Sequence, residues 1–479
     1  MIKNQKKSEI FPEIENDNNS NGEEISKNYY SIKLSGISAY NAERDANGTE
    51  IIYCDATDYP PYSKEYPACP KCGSHNTAIH GSFIRTVHDL EDWGERVILK
   101  ISGRRFVCQN CGQTFTPSLS SIEDRGKITK RLQKRIYDYC LEDLSFIQIA
   151  KFYGISDDTV KDVFTKCADE VLAKRDIPTP AIIGIDEVHL NHKMRLVVTD
   201  VVSVRVIDMY TEIKEDVVIS VLKELERYGH IEIVTMDMSH TYRPAVKEAL
   251  PNAKIIVDYY HLVDKCLSAL EFARIKCRKK IVSELKTAAE KKDFKDSNTH
   301  FKKLMLTNLE VLVAKNQDQM LFTLFGKKDY KEFAKLYFVK ESFRSIFIES
   351  KTREEAKKRL DEWKKSIKTE EQDPEGYYAA FRSFLKTVNN WEEEILNNFD
   401  EPNRDFSNGP TESLNARIKA IQRIGRGYSF PVLRRRVLLG IDNKKIDEYI
   451  KNHEEYNKQM DIDKDFKPVR KSHRTRGKK

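Results

Sequence analysis

Two cysteine pairs constrain this chain more than any other feature. Cys69-Pro-Lys-Cys72-Gly and Cys108-Gln-Asn-Cys111-Gly each set two thiols on one tight turn ahead of a glycine. Zinc takes four soft ligands in a tetrahedron, and each turn offers two of them to one ion. The glycine lets the backbone fold around the metal where a side chain would obstruct it. The 35 residues between the pairs suffice for a few strands, as in a zinc ribbon. The competing reading is two unrelated thiol pairs. His75, His80 and His88 lie nearby, but four cysteines complete a structural zinc site without them. Such a module is either a stapled structural domain or a nucleic-acid reader, and Arg104 and Arg105 just before the second pair lean towards DNA.

The other five cysteines are scattered and read as core or surface thiols. No stretch reaches the apolar length needed to span a bilayer. Lys3, Lys6 and Lys7 open the chain without an apolar segment behind them, so no secretory signal is expected. The protein is therefore expected inside the cell, cytoplasmic and nucleoid-associated in a bacterium, where thiols stay reduced. At 479 residues the chain is too long for one ordinary core. A net charge of +7 only hints at a polyanionic partner. Its distribution says more: residues 1–28 are polar, mixed in charge and expected to be disordered, while Lys467 to Lys479 form a basic tail.

Residues 29–120 read as short strands and turns around the cysteines, and Lys127 to Lys174 as helical. Within the latter, "FIQIAKFYGISDDTVKDVF" fits a helix-turn-helix. Ile149 and Ala150 close the first helix on the second, Gly154 permits the turn, and Ser156 caps the next helix. Thr159 and Lys161 would then face a major groove, although Asp157, Asp158 and Asp162 beside them do not favour phosphate. A purely structural helical hairpin is the other reading.

Past Pro178 and Pro180, three strand signals, a helix, a strand, a helix and a strand follow, an α/β order with a mixed sheet. Leu262 to Phe399 reads as almost entirely helical, and helix resumes after "SNGPTES" and continues to about Tyr456. Asp186 interrupts the apolar strand Ile182–Ile185, where an ionised carboxylate is costly unless a cation compensates it. Asp237 ends the strand "IEIVTMD" of the same sheet. Glu187 would point to the opposite face from Asp186. Glu412 opens a helix on which Asn415, Lys419 and Arg423 make a polar stripe and Leu414, Ile418 and Ile421 an apolar one. The basic residues suit a phosphate backbone and the carboxylate suits a metal. Oxygen ligands of this kind fit magnesium, and two such ions would activate a water or 3′-hydroxyl at phosphorus. Taken singly, each acid also has a bland reading as a turn or helix cap.

From about residue 30 the chain resembles the ISL-three family of bacterial insertion-sequence transposases. The resemblance is carried by "CPKCG" with "CQNCGQTF", the helix-turn-helix, "IGIDE", "DMSHTYRPAVKEALPNAKIIVDYYHLV" and "SNGPTESLNARIKAIQRIGRGYSF". It implies an RNase H-like domain interrupted by an all-helical insertion, with Asp186, Asp237 and Glu412 in the catalytic, magnesium- or manganese-binding positions. Asp258 and His261 match the family's acid-x-x-His element and take a supporting role. The resemblance further implies recognition of double-stranded terminal inverted repeats by the N-terminal modules, a homodimer or higher oligomer pairing two ends, and strand transfer into target DNA. Two departures stand out: Val188-His189 follows the first Asp-Glu where an aromatic is common, and the pattern does not explain the N-terminal extension. The expected division is an extension over 1–28, a zinc ribbon over 29–120, and a helix-turn-helix domain over 121–178. The catalytic domain would fill 179–262 and 401–450, the helical insertion 263–400 and the basic tail 451–479. Competing functions are a non-catalytic DNA-binding regulator derived from a transposase and a general RNase H-fold nuclease.

Overall fold

A computed structural model describes residues 32–57, 66–123, 126–174, 178–400 and 406–440. The expected extension, the basic tail and any helix beyond Gly440 lie outside the described residues. The chain divides into two compact units, one of residues 1–136 with 147–160 and one of 137–146 with 161–479.

In the first unit, β1 (Ile37–Arg44), β2 (Glu50–Ala56), β3 (Thr77–Asp92), β4 (Glu95–Cys108) and β5 (Thr114–Phe115) form one sheet in the order β1-β2-β4-β3, with β5 on β4. The stretch between the cysteine pairs is thus a single long hairpin rather than several short strands. Its turn is Trp93-Gly94, with φ of 47° and 84°, the left-handed pair that matches the twist of the flanking strands. Val97, Leu99 and Ile101, at alternate positions of β4, and Val87 of β3 bury against Ile37, Ile52 and Cys54. Buried Asp89 accepts hydrogen bonds from Thr129 (2.6 Å) and Arg131 Nε (2.8 Å), which anchors the start of α1 (Lys130–Leu141). Then come α2 (Phe146–Tyr153) and α3 (Asp157–Leu172). Gly154 turns the chain at φ 65° and Ser156 Oγ accepts from the Thr159 N–H at 3.2 Å, as the helix-turn-helix pattern requires.

The second unit holds a sheet of β6 (Ile182–Leu190), β7 (Lys193–Asp200), β8 (Arg205–Tyr210), β9 (Ile233–Met236) and β10 (Lys254–Val257), in the order β10-β9-β6-β7-β8. β10, β9 and β6 run parallel and β6, β7 and β8 antiparallel, so the sheet is mixed. The helices α4 (Glu215–Glu226) and α5 (Tyr242–Ala249) connect its strands. From β10 onward the described residues are helical: α6 (Tyr259–Glu284), α7 (Ala288–Leu306), α8 (Leu309–Ala314), α9 (Asp318–Phe325), α10 (Lys331–Glu349), α11 (Arg353–Ser366), α12 (Ala379–Asn390) and α13 (Glu392–Leu396). Their core is aromatic, with Phe333, Phe343, Trp363, Phe381 and Trp391 all buried, and Trp363 Nε1 donates to Val339 O at 3.0 Å. Two final helices, α14 (Gly409–Gly425) and α15 (Phe430–Gly440), return to the sheet. No helix among the described residues is long and apolar enough to cross a membrane.

Candidate active site

The sheet register lines up the acids. Ile185 of β6 pairs with Met236 of β9, and Met236 pairs with Val257 of β10. The next residue on each of these adjacent parallel strands is Asp186, Asp237 and Asp258 respectively. In-register neighbours on parallel strands share a face, and the carboxyl ends of such strands are where α/β sheets bind ligands. Asp258 caps α6, its Oδ1 accepting from the Tyr260 N–H at 2.8 Å, and the first turn of that helix brings in His261. His261 Nδ1 lies 3.0 Å from Asp237 Oδ1, 3.8 Å from Asp258 Oδ2 and 3.6 Å from Glu412 Oε1. Glu412 arrives in the first turn of α14, so one imidazole touches acids from two strand ends and one distant helix.

α14 can approach because the sheet leaves it a seat. A Cβ at Gly184 would overlap the hydroxyl oxygens of Thr411 and Thr199. Thr411 and Thr199 hydroxyls lie 2.7 Å apart, and Thr235 Oγ1 donates to Asn408 Oδ1 at 3.3 Å. Thr199, Thr235, Asn408 and Thr411 are all fully buried. Pro410, in the first turn, costs no hydrogen bond there, and Leu414, Ile418 and Ile421 supply the apolar contact.

The cluster is short of positive charge. Burial first, then the Asp237 charge, push Asp186 up to about 7. Burial and the neighbouring Asp258 charge push Glu412 up as well. Contact with Asp237, then with Asp258, pushes His261 up to about 11, the imidazolium being the local counter-charge. Asp237 Oδ1, Asp258 Oδ2 and His261 Nδ1 are buried atoms without an aligned hydrogen bond. They nevertheless lie within 4.8 Å of one another. Close and converging oxygen and nitrogen atoms of this kind fit a divalent cation, which would take the place of the proton that His261 Nδ1 shares with Asp237. The carboxylates suit magnesium or manganese, and the imidazole shifts the preference towards the softer manganese.

The structure separates the expected polar stripe of α14. Lys419 and Arg423 are exposed, but Asn415 is buried and its Nδ2 donates to Asp186 Oδ2 at 2.7 Å. On α3, Lys161 is exposed, while the Thr159 hydroxyl sits 2.8 Å from Ser156 Oγ within the helix cap. Arg105 is exposed on β4 and Arg104 half-buried. The Gly184, Thr199, Thr235, Asn408 and Thr411 seat escaped sequence reasoning. Gly184 between isoleucines was its one visible sign.

The four knuckle thiols converge. Cys69 and Cys111 sulfurs lie 3.7 Å apart and those of Cys72 and Cys108 3.6 Å. A tetrahedral site with Zn–S bonds of about 2.3 Å sets sulfurs about 3.8 Å apart. The two turns match in detail: Gly73 and Gly112 have φ of 72° and 69°, and each N–H donates to the carbonyl of the first cysteine of its pair at 2.9 Å.

A carboxylate cluster on a mixed sheet, in a chain that also carries a four-cysteine ribbon and a helix-turn-helix, defines the nucleic-acid-processing class. A family model described as "Transposase" matches residues 183–437. One described as "zinc-finger of transposase IS204/IS1001/IS1096/IS1165" matches 65–111, and a "Helix-turn-helix domain of transposase family ISL3" matches 117–168. The first spans more than half of the chain, and the chain belongs to the ISL3 family of transposases. It is similar to "Transposase for insertion sequence element IS1001" of Bordetella parapertussis, 24% identical over 241 residues, which is 48% of this chain and 58% of that protein. The match thus spans little more than half the length of that relative.

Proposed function

We propose that the protein is an active DNA transposase, cleaving at insertion-sequence ends and joining the freed 3′-hydroxyl to target DNA. Asp186, Asp237 and Glu412 are the catalytic acids of an RNase H-like domain made of 179–262 and 401–450, and the helices of 263–400 are its insertion. The observation that carries this reading is the rung shared by Ile185, Met236 and Val257, followed on each strand by an aspartate. The acids and His261 would hold magnesium or manganese, which supplies Lewis-acid activation of the attacking oxygen and charge neutralisation at the leaving one. The protein's own part is geometric and electrostatic. Asp258 fixes the first turn of α6 and so aims His261 at Asp237, and the Thr-Asn seat fixes α14 and so aims Glu412 at the same point.

Zinc held by Cys69, Cys72, Cys108 and Cys111 staples the ribbon. The ribbon with Arg104 and Arg105, and the helix-turn-helix with Thr159 and Lys161, read the terminal inverted repeats inside the cell. Lys419 and Arg423 contact phosphate beside the acids, and a homodimer or higher oligomer pairs two ends. Three acids within 3.8 Å of a single imidazole, with Asp186 on the adjoining strand, favour a catalytic site over a non-catalytic regulator.

The test is cleavage of end-containing DNA in magnesium or manganese. Asp237→Asn abolishes nicking and leaves end binding intact. Retained nicking refutes the site, and nicking by the wild type that ignores the inverted repeats refutes the transposase reading in favour of a general nuclease.

A further inference from the structure

One polar face of α14 meets three strands. Asn408, Thr411 and Asn415 fall at i, i+3 and i+7 and engage Thr235 on β9, Thr199 on β7 and Asp186 on β6. The last contact differs from the others because its partner is one of the clustered acids. Asn415 is 5% exposed, too little for its side chain to reach a DNA phosphate. Its Nδ2 donates to Asp186 Oδ2 at 2.7 Å, an amide donor matched to a carboxylate acceptor. The second oxygen, Asp186 Oδ1, accepts the Glu187 N–H at 2.7 Å. Both oxygens are therefore held and the carboxylate has one orientation. The remaining Asn415 atom, Oδ1, is buried and has no hydrogen-bond partner.

We propose that Asn415 is the positioning residue of Asp186, its amide fixing the orientation of that carboxylate in the cluster. This rests on the function proposed above. The amide holds Asp186 against rotation. Partners that orient a metal ligand in this way typically contribute about 10- to 100-fold to metal affinity or activity. Because Asn415 and Glu412 share one helix, a single docking event sets both the orientation of one acid and the position of another.

The experiment uses the full-length, zinc-loaded protein and the variants Asn415→Leu and Asn415→Ala. Leucine keeps the packing volume and removes both polar atoms, and alanine serves if leucine disturbs folding. Manganese affinity is read by the loss of the free-ion paramagnetic resonance signal, and thermal stability, end-DNA binding and end cleavage are measured on the same samples. The expected result is manganese affinity or cleavage about 10- to 100-fold weaker, with melting temperature and end-DNA binding close to the wild type. A folded variant that keeps both manganese affinity and cleavage within about twofold overturns the assignment, since packing alone would then explain the residue. A parallel loss of end-DNA binding also overturns it, making Asn415 a DNA contact. If the wild type itself neither binds manganese nor cleaves, the proposed function fails first, which is a distinguishable outcome.

Discussion

Gly184 leaves the space that the Thr411 hydroxyl occupies. The hydroxyl sits over Gly184 of β6, 2.7 Å from Thr199 Oγ1 on the next strand, and a methyl group at Gly184 would overlap both oxygens. The distance between a helix and a sheet is thereby set by one missing side chain, two residues before Asp186 in sequence. Since Glu412 follows Thr411 directly, that distance also sets where the third acid arrives.

Gly184→Ala should therefore damage the site more than the fold. Overpacking of this type costs about 1–3 kcal/mol, and each kcal/mol lowers the melting temperature of a domain this size by about 2–4 °C. End cleavage should fall at least tenfold, of the order a misplaced catalytic group costs, while zinc content stays unchanged. A variant with lowered melting temperature and full cleavage would show that α14 tolerates displacement.

How much of this was legible beforehand depended on the kind of information each residue carries. Asp186 and Asp237 announce themselves because a carboxylate within or just beyond an apolar strand is costly, and polarity is written in sequence. That Asp258 stands on the same rung is not, because register between β9 and β10 comes from pairing across a helix. Glu412 lies 175 positions after Asp237, and no spacing rule joins them; ligand chemistry suggests the grouping and the resemblance to a family specifies it. Helical spacing groups Asn415 with Lys419 and Arg423, yet Asn415 is buried. Periodicity separates polar from apolar residues but not a polar side chain facing water from one facing an aspartate. Likewise the hairpin of β3 and β4 hides from pattern reading, since its exposed face interleaves polar residues that suggest turns.

Asp258 has two duties that one substitution can separate. Asparagine caps helices about as well as aspartate, so Asp258→Asn should keep the α6 N-terminus and leave the melting temperature within about 2 °C, the equivalent of a fraction of a kcal/mol. It removes a buried charge that faces His261, and cleavage should fall at least tenfold if Asp258 helps hold the cation. Unchanged cleavage, measured on nicked end DNA, would reduce Asp258 to a cap.

Zinc removal should act through the first unit. Elemental analysis is expected to find one zinc per chain, and Cys108→Ser should abolish it. End-DNA affinity should then fall at least tenfold, as the turns that present β3 and β4 lose their staple. Manganese binding by the second unit should be unaltered. Full end affinity in a zinc-free protein would contradict a recognition role for the ribbon.

Lys419 and Arg423, exposed on α14, are predicted to meet phosphate. In Lys419→Ala/Arg423→Ala the dependence of log affinity on log salt should flatten by about 1–2, roughly 0.9 for each phosphate no longer neutralised. Sequence preference among end DNAs should not change. An unaltered salt slope would place these two side chains away from the DNA.

The central claim is that strand-borne aspartates, His261 and the late Glu412 converge on one cation, and anomalous scattering from a manganese-soaked crystal addresses it directly. The account predicts an anomalous peak among the Asp237, Asp258 and His261 side chains, with Asp186 and Glu412 turned towards it. An empty cluster, or a Glu412 side chain directed into solvent away from the aspartates, would contradict it.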